Sequence, residues 1–316
     1  MALDWKSSGR RGGDDNLQGG YSGAGPMNPH DLDHTILHHI NGKAAELEDR
    51  LKSDVVAFYG QIQPAYFRIF RNFIEEVAKT SKRKEKTLSI VLRTPGGSAQ
   101  TVERMVSVVR KHYKLVNFIV PDLAMSAGTI FCMSGDKIYM DYSSSLGPID
   151  PQVMLPDGSG FVAALGYLDK VEEIVSKKQL SPADVVFLRG LDLAKLALFE
   201  QARDLSIDLL KTWLVKYKFK DWKTHRTTNP GAKVTRAEKI ERAEEIAKQL
   251  ANHKKWHSHG RALDIDKLRV LRLEIDDYSD DVDLAPAVRG YNDLLTAYTD
   301  QQKFPFYLHS HLTEAL

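Results

Sequence analysis

Apolar residues change period several times along this chain, and each change marks an element. HDLDHTILHHINGKAAELEDRLKS (30–53) has helical spacing. DVVAFYGQI (54–62), a β-branched and aromatic run closed by Pro64, predicts a strand. AYFRIFRNFIEEVAKT (65–80) then returns Phe67, Phe70, Phe73, Ile74 and Val77 at helical intervals. TLSIVLRT (87–94) and LVNFIVP (115–121) are unbroken apolar runs, separated by PGGS and a helix from Thr101 to His112. A helix begins near Ser126 and KIYMDY (137–142) reads as a fourth strand. Strands that alternate with helices and lack an apolar/polar alternation of their own predict a parallel α/β core covered on both faces.

From about Gly160 the pattern turns helical, with segments expected at 166–179, 192–217 and 236–252, and a tail carrying one more short strand or helix pair. This reads as an elaboration of one domain spanning 29–316. Residues 1–28, rich in Gly, Ser, Asp and Arg with almost nothing to bury, are expected to form a flexible arm.

Composition narrows the function classes. The 44 basic and 42 acidic residues leave a formal charge of +2, so nothing supports a nucleic-acid footprint. The run SKRKEK (81–86) is expected as solvated loop. One cysteine, Cys132, allows neither an internal disulfide nor a multi-cysteine zinc site and points to a reducing compartment. No apolar run is long enough to cross a bilayer and no signal-peptide core opens the chain, so a cytoplasmic protein without a transmembrane segment is expected. His34 and His38 have the i, i+4 spacing of a helical metal site, but no HExxH pattern accompanies them, and a half-exposed helix is the better reading. No phosphate-binding GxxxxGK[ST] and no GxGxxG is present, so neither a nucleotide-dependent nor a dehydrogenase reading has support.

The chemistry lies in two motifs at strand ends, LRTPGGSAQT (92–101) and DLAMSAGTIF (122–131). Ligands of open α/β sheets gather at the carboxyl ends of strands. A serine hydrolase needs a nucleophile on a sharp turn and two N–H donors aimed at the developing oxyanion. Ser126 has the place of the nucleophile, although a serine at a helix start is explained equally well by capping. The N–H of Ala127 is reachable because its neighbours are small. Gly97 supplies a second N–H, with no side chain where an acyl group would lie, and Gly96 lines the same turn.

TPGGS, AMSAGT and KIYMDYSSSLGPID, in that order, resemble the serine peptidases of the Clp protease and signal peptide peptidase A superfamily, with its crotonase-type fold. Within it they are most similar to the serine dehydrogenase proteinase family. The resemblance covers roughly residues 54–215, and KQLANHKKWHSHGRALDIDKL (248–268) is similar to that family's C-terminal segment. It implies a Clp-like parallel sheet with flanking helices, peptide-bond hydrolysis without metal or organic cofactor, a peptide or unfolded protein as substrate, and assembly into homo-oligomers. By position it makes Ser126 the nucleophile and the N–H groups of Gly97 and Ala127 the oxyanion hole.

The base departs from the Clp pattern, because no histidine lies between His112 and His225. The peptidase-A relatives use a lysine instead, which must be neutral to act and therefore needs burial. Lys178, 52 residues after Ser126, has the separation of that arrangement, and Lys195, within LDLAKLALF, has the apolar surroundings; Lys170 and Lys177 are weaker candidates. A snorkelling lysine on an amphipathic helix is the competing reading of Lys195. Asp150 in GPIDPQ either lines the cleft, where it would orient a base or bind a substrate amine, or makes a turn before Pro151. His257 and His259 in WHSHGR are candidates to line the cleft. Two other functions share these features: a crotonase-type acyl-CoA enzyme, which needs no serine nucleophile, and a ring-forming scaffold that has lost its base.

Overall fold

The computed structural model describes residues 29–149, 152–154, 161–226, 229–256 and 258–313. The predicted flexible arm, 1–28, lies outside them. In chain order the elements begin α1 (Pro29–Leu51), β1 (Asp54–Gly60), α2 (Phe67–Thr80), β2 (Thr87–Arg93), α3 (Ala99–His112) and β3 (Leu115–Val120). There follow β4 (Leu123–Ala124), α4 (Ala127–Met133), β5 (Lys137–Met140), β6 (Ser145–Leu146), β7 (Gln152–Met154) and β8 (Phe161–Ala163). The helical part comprises α5 (Ala164–Val175), α6 (Pro182–Arg189), α7 (Leu193–Trp213), α8 (Arg236–Leu250), α9 (His253–Trp256) and α10 (Ile265–Val270). The chain closes with β9 (Asp276–Asp277), α11 (Leu284–Gln302) and β10 (Phe306–His309).

Six strands form one sheet in the order β10-β1-β2-β3-β5-β9, and only β10 runs antiparallel to its neighbour. The register aligns Val56, Ile90, Phe118 and Ile138 in one row across the sheet. All four are fully buried, against α2, α3, α4, α7 and α8. Their neighbours Ala57, Val91, Ile119 and Tyr139 form a row on the opposite face, beneath α1 and α11. Two buried faces account for the unbroken apolar runs in the sequence. Each such side chain contributes about 1.5–3 kcal/mol by leaving water, so a one-residue slip of register, which would exchange the two rows, is strongly disfavoured. The result is the expected mixed α/β core with a mostly parallel central sheet flanked by helices.

The tail holds more structure than expected. In place of one short strand or helix pair it supplies α10, β9, the 19-residue α11 and β10. Pro286 and Gly290 interrupt the apolar spacing of α11, yet Val288, Tyr291 and Leu295 bury completely against α1 and the sheet. The strand expected over 137–142 stops at Met140, because Asp141 turns the chain. Asp141 is buried; its Oδ1 accepts from the hydroxyls and backbone N–H groups of Ser143 and Ser144, and its Oδ2 accepts Arg289 Nε and Nη2 of α11 at 3.1 and 2.8 Å. Burial opposes its ionisation, but the bonds from Ser143, Arg289 and Ser144 outweigh that and hold its pKa below the usual value. The serines after the fourth strand thus anchor a buried carboxylate.

A pKa lower in the folded than in the unfolded chain stabilises the fold fully above the ordinary carboxylate value, and the benefit is lost as pH falls through the folded-state value. Asp141→Asn should therefore cost about 1–3 kcal/mol near neutral pH. The gap between variant and wild type in urea titrations should narrow once pH drops below about 4. A gap that stayed constant from neutral pH to pH ~3 would show that the charge on Asp141 is not what stabilises this loop.

Candidate active site

The site begins with Thr94, the residue after β2. Its N–H donates to Leu123 O and its carbonyl accepts the Met125 N–H, both at 3.0 Å, which makes a parallel bridge between Thr94 and Ala124. These two bonds draw the Pro-Gly-Gly turn and the 123–127 segment side by side. The fully buried Thr94 hydroxyl also accepts the Gly96 N–H at 3.0 Å, closing the turn.

Both glycines of the turn have positive φ, for different reasons. At Gly96 (φ +108°) a Cβ would lie 2.8 Å from Met125 O and 2.9 Å from Ser126 Cβ, so a side chain there would fill the space at the serine. At Gly97 (φ +146°) a Cβ would lie 2.1 Å from Ile62 O. The missing side chain at Gly97 thus admits the neighbouring backbone, and Gly96 is the residue that leaves room beside Ser126. Ile62 donates to Gly96 O and accepts from Ser98 N–H, both at 2.9 Å. In that parallel pattern the N–H of Gly97 faces away from Ile62, toward the side on which Thr94 pairs with the 123–125 segment. It donates no hydrogen bond within the described residues, and neither does the N–H of Ala127.

Ser126 stands between β4 and α4 with φ 51° and ψ −113°, outside every region that L-residues ordinarily occupy, the left-handed helical one included. Such a conformation costs about 1–3 kcal/mol and persists only when its surroundings impose it. The bland explanation of the residue, helix capping, fails here: Ser126 has the N-cap position, but its side chain makes no capping hydrogen bond. The turn is fixed from both sides. The Gly128 N–H donates to Met125 O at 2.8 Å, and a Cβ at Gly128 would lie 2.4 Å from Thr94 Cγ2, so only glycine lets α4 seat against Thr94. The buried Thr129 hydroxyl shares its proton between the carbonyls of Ala124 (2.9 Å) and Gly147 (2.8 Å) and accepts the Gly147 N–H at 3.0 Å. Sequence reading singled out neither threonine. A polar residue directly after a buried strand, and another inside an all-apolar helix, were the available signals.

A half-buried serine in a strained strand-to-helix turn, with two unused N–H groups on adjoining segments, can attack a carbonyl carbon and receive the charge that develops on its oxygen. The structure brings Gly96, Gly97, Ser126 and Ala127 together. It does not join the base candidates to them: among the described residues no lysine or histidine hydrogen-bonds to Ser126. Lys178 is exposed in the turn between α5 and α6. Lys195 is half-buried in the first turn of α7, its Nζ 5.7 Å from the centre of the Phe199 ring, while Leu193 and Leu198 beside it are 73% and 60% exposed. Its apolar sequence neighbours therefore do not enclose it. Lys170 is exposed and paired with Glu173 at 3.0 Å, and Lys177 with Asp184 at 2.8 Å.

Asp150 and His257 lie outside the described residues. His259 sits in the Ser258–Arg261 turn, half-buried, with a buried Nδ1 that has no partner, and burial lowers its pKa. That segment is tied to the site's scaffold, because Leu263 and Leu146 exchange hydrogen bonds of 2.8 and 3.0 Å and β6 pairs with β4. Cys132 is fully buried in the core, and burial pushes its thiol pKa up.

Several known proteins are similar to this chain. Two uncharacterized proteins of Methanocaldococcus jannaschii match it, one 31% identical over 150 residues (47% of this chain, 49% of the relative), the other 26% over 192 residues (61% and 53%). The chain thus spans about half the length of the curated relatives it matches. Among solved structures, two mutants of the 1510-N membrane-bound stomatin-specific protease, one of them in complex with a substrate peptide, superpose slightly. Their TM-scores are 0.30 and 0.31, at 20% and 22% identity, over 38% of this chain and 60% and 57% of theirs. A family model described as ClpP-like SDH-type serine proteinase matches residues 52–230, from the start of β1 to beyond α7, with the Gly-Gly turn and Ser126 inside it. With more than half of its length matched, the chain belongs to the ClpP-like SDH-type serine proteinase family.

Proposed function

We propose that this chain is a serine peptidase in which Ser126 attacks the scissile carbonyl and the N–H groups of Gly97 and Ala127 hold the oxyanion. The observation that carries the reading is the Ser126 backbone, strained and uncapped, beside two amides that have no acceptor among the described residues. Strain at a surface turn has no structural benefit of its own, and aiming a hydroxyl at a substrate supplies one. In the reaction a base takes the Oγ proton as the Ser126 O–C bond forms, and the two amides neutralise the tetrahedral oxyanion. The base then returns its proton to the departing amine, and water hydrolyses the acyl-enzyme by the same route.

The base in this proposal is a lysine, Lys195 or Lys178. Of the two, Lys195 is the less exposed, half-buried with Phe199 beside it where Lys178 is exposed. Self-assembly belongs to the same reading. The exposed apolar side chains of the helical excursion, Val186 at 71%, Leu193 at 73% and Leu198 at 60%, support a second copy covering them, and with it the enclosure that restricts entry to unfolded or short peptides. Among the described residues no helix is long and apolar enough to cross a membrane. One observation keeps an inactive scaffold as the second reading: among the described residues no lysine or histidine hydrogen-bonds to Ser126.

A fluorophosphonate probe separates the two readings. The peptidase labels at Ser126 and Ser126→Ala does not; an assembled, folded protein that never labels is the scaffold. Exchanging each lysine for methionine identifies the base, whose loss should slow labelling about 10²–10⁴-fold while the other exchange changes little. Equal rates for both variants would remove lysine from the mechanism. The strain is testable without activity. Ser126→Gly should be more stable than Ser126→Ala by about 1 kcal/mol in urea titrations, because glycine alone adopts this φ freely. Equal stability of the two would mean the turn is relaxed.

A further inference from the structure

One cavity among the described residues lies away from Ser126. It is a pocket of about 590 Å³ formed by the turn after α7, by α8 and by residues 269–274. Lys218 lines it, at the end of a π-helical turn, Leu214–Lys218, that interrupts the α7 geometry. Such turns recur at functional sites because they re-aim one side chain. Carboxylates lie near the Lys218 amine, but each is engaged by another cation: Glu274 by Arg226, Asp276 by Lys137, and Asp136 by Arg110 and Lys220. Lys218 itself is half-buried and forms no ion pair among the described residues. These neighbours surround the start of β5, whereas Ser126 follows β4 beyond the carboxyl end of β3, so the pocket and the candidate active site lie at opposite ends of the sheet.

Three further features converge there. Arg272 lines the same pocket with φ 58°, an uncommon conformation for a residue of its size, and its guanidinium has no ion-pair partner among the described residues. Phe219 and Trp222 form an aromatic wall, ring centres 5.6 Å apart. Most acidic groups of the lining already have local partners: Glu238 accepts from the Thr235 cap and bonds His225, Glu245 pairs with Arg242, and Glu274 with Arg226. The remaining two, Asp221 and Glu241, are exposed. The deepest unpaired charge is therefore positive.

We propose that this pocket is a second ligand site, which takes a small carboxylate with a flat apolar body. The carboxylate sits between the Lys218 amine and the Arg272 guanidinium, whose forked donors suit two oxygens, and the body lies on Trp222 and Phe219. Burial brings the Lys218 pKa down to about 8, so part of the amine is neutral near physiological pH and open to covalent trapping.

The test uses the full chain with 2-formylbenzoate and cyanoborohydride near neutral pH; its aldehyde lies beside the carboxylate, so a carboxylate held by Arg272 brings the aldehyde to the Lys218 amine. The amine condenses with the aldehyde to an imine with loss of water. Hydride from cyanoborohydride reduces the imine to a secondary amine, which can close on the neighbouring carboxylate with loss of a second water; either product is stable and located by peptide mapping. Lys218 should be modified at least about tenfold faster than the typical surface lysine of the chain, and benzoate should suppress the reaction where the uncharged benzamide does not. Arg272→Gln, at an exposed position, should weaken benzoate protection about tenfold and leave the other lysines unaffected. Modification spread evenly over the lysines, or equal protection by benzamide, would overturn the proposal. The outcome is independent of Ser126, since trapping requires no peptidase activity.

Discussion

Two 3.0 Å backbone hydrogen bonds at Thr94 set the geometry of the candidate active site. Without them the Gly-Gly turn after β2 and the serine turn after β4 would be two separate loops at a sheet edge. With them, Gly96 has no room for a Cβ because the backbone of residues 125–127 is already there, and Gly128 has none because Thr94 is there. The strain at Ser126 follows from the same closeness: α4 is seated on Thr94, Thr129 ties it to Gly147, and the chain must enter the helix through a conformation that serine would otherwise avoid. The cost, about 1–3 kcal/mol, is small beside the apolar burial of the two residue rows that fix the sheet.

Much of this was legible in the sequence, because parallel strands buried on both faces write themselves as unbroken apolar runs and their carboxyl ends are where ligands gather. The two glycine-bearing motifs could be placed at those ends before any coordinates. What periodicity could not show was pairing between segments too short to have a period. β4 and β6 have two residues each, and they decide which loops lie beside Ser126. The C-terminal elements were obscured for the same kind of reason. β10 has four residues, all buried, and α11 carries Pro286 and Gly290 between its buried positions. Arg289, which reaches Asp141 from α11, has no local sequence signal at all.

The roles of the charged residues were the least legible. Lys195 stands in an apolar sequence context, yet Leu193 and Leu198 point largely to solvent, so the context is not an enclosure. Lys218 stands in a lysine-rich stretch, KYKFK, yet it is half-buried at the far end of the sheet, with no ion pair among the described residues. In both cases the environment of the amine is set by distant segments rather than by neighbours in the chain. Desolvation and pairing are tertiary properties, and residue type alone does not reveal them.

The central claim, that the amides of Gly97 and Ala127 and the hydroxyl of Ser126 form one catalytic unit, is tested most directly by a crystal structure of the fluorophosphonate adduct. The account predicts phosphorus bonded to Ser126 Oγ, with one phosphoryl oxygen within about 3 Å of both amide nitrogens. An adduct on another residue, or a phosphoryl oxygen turned to solvent with Gly97 and Ala127 unengaged, would contradict it.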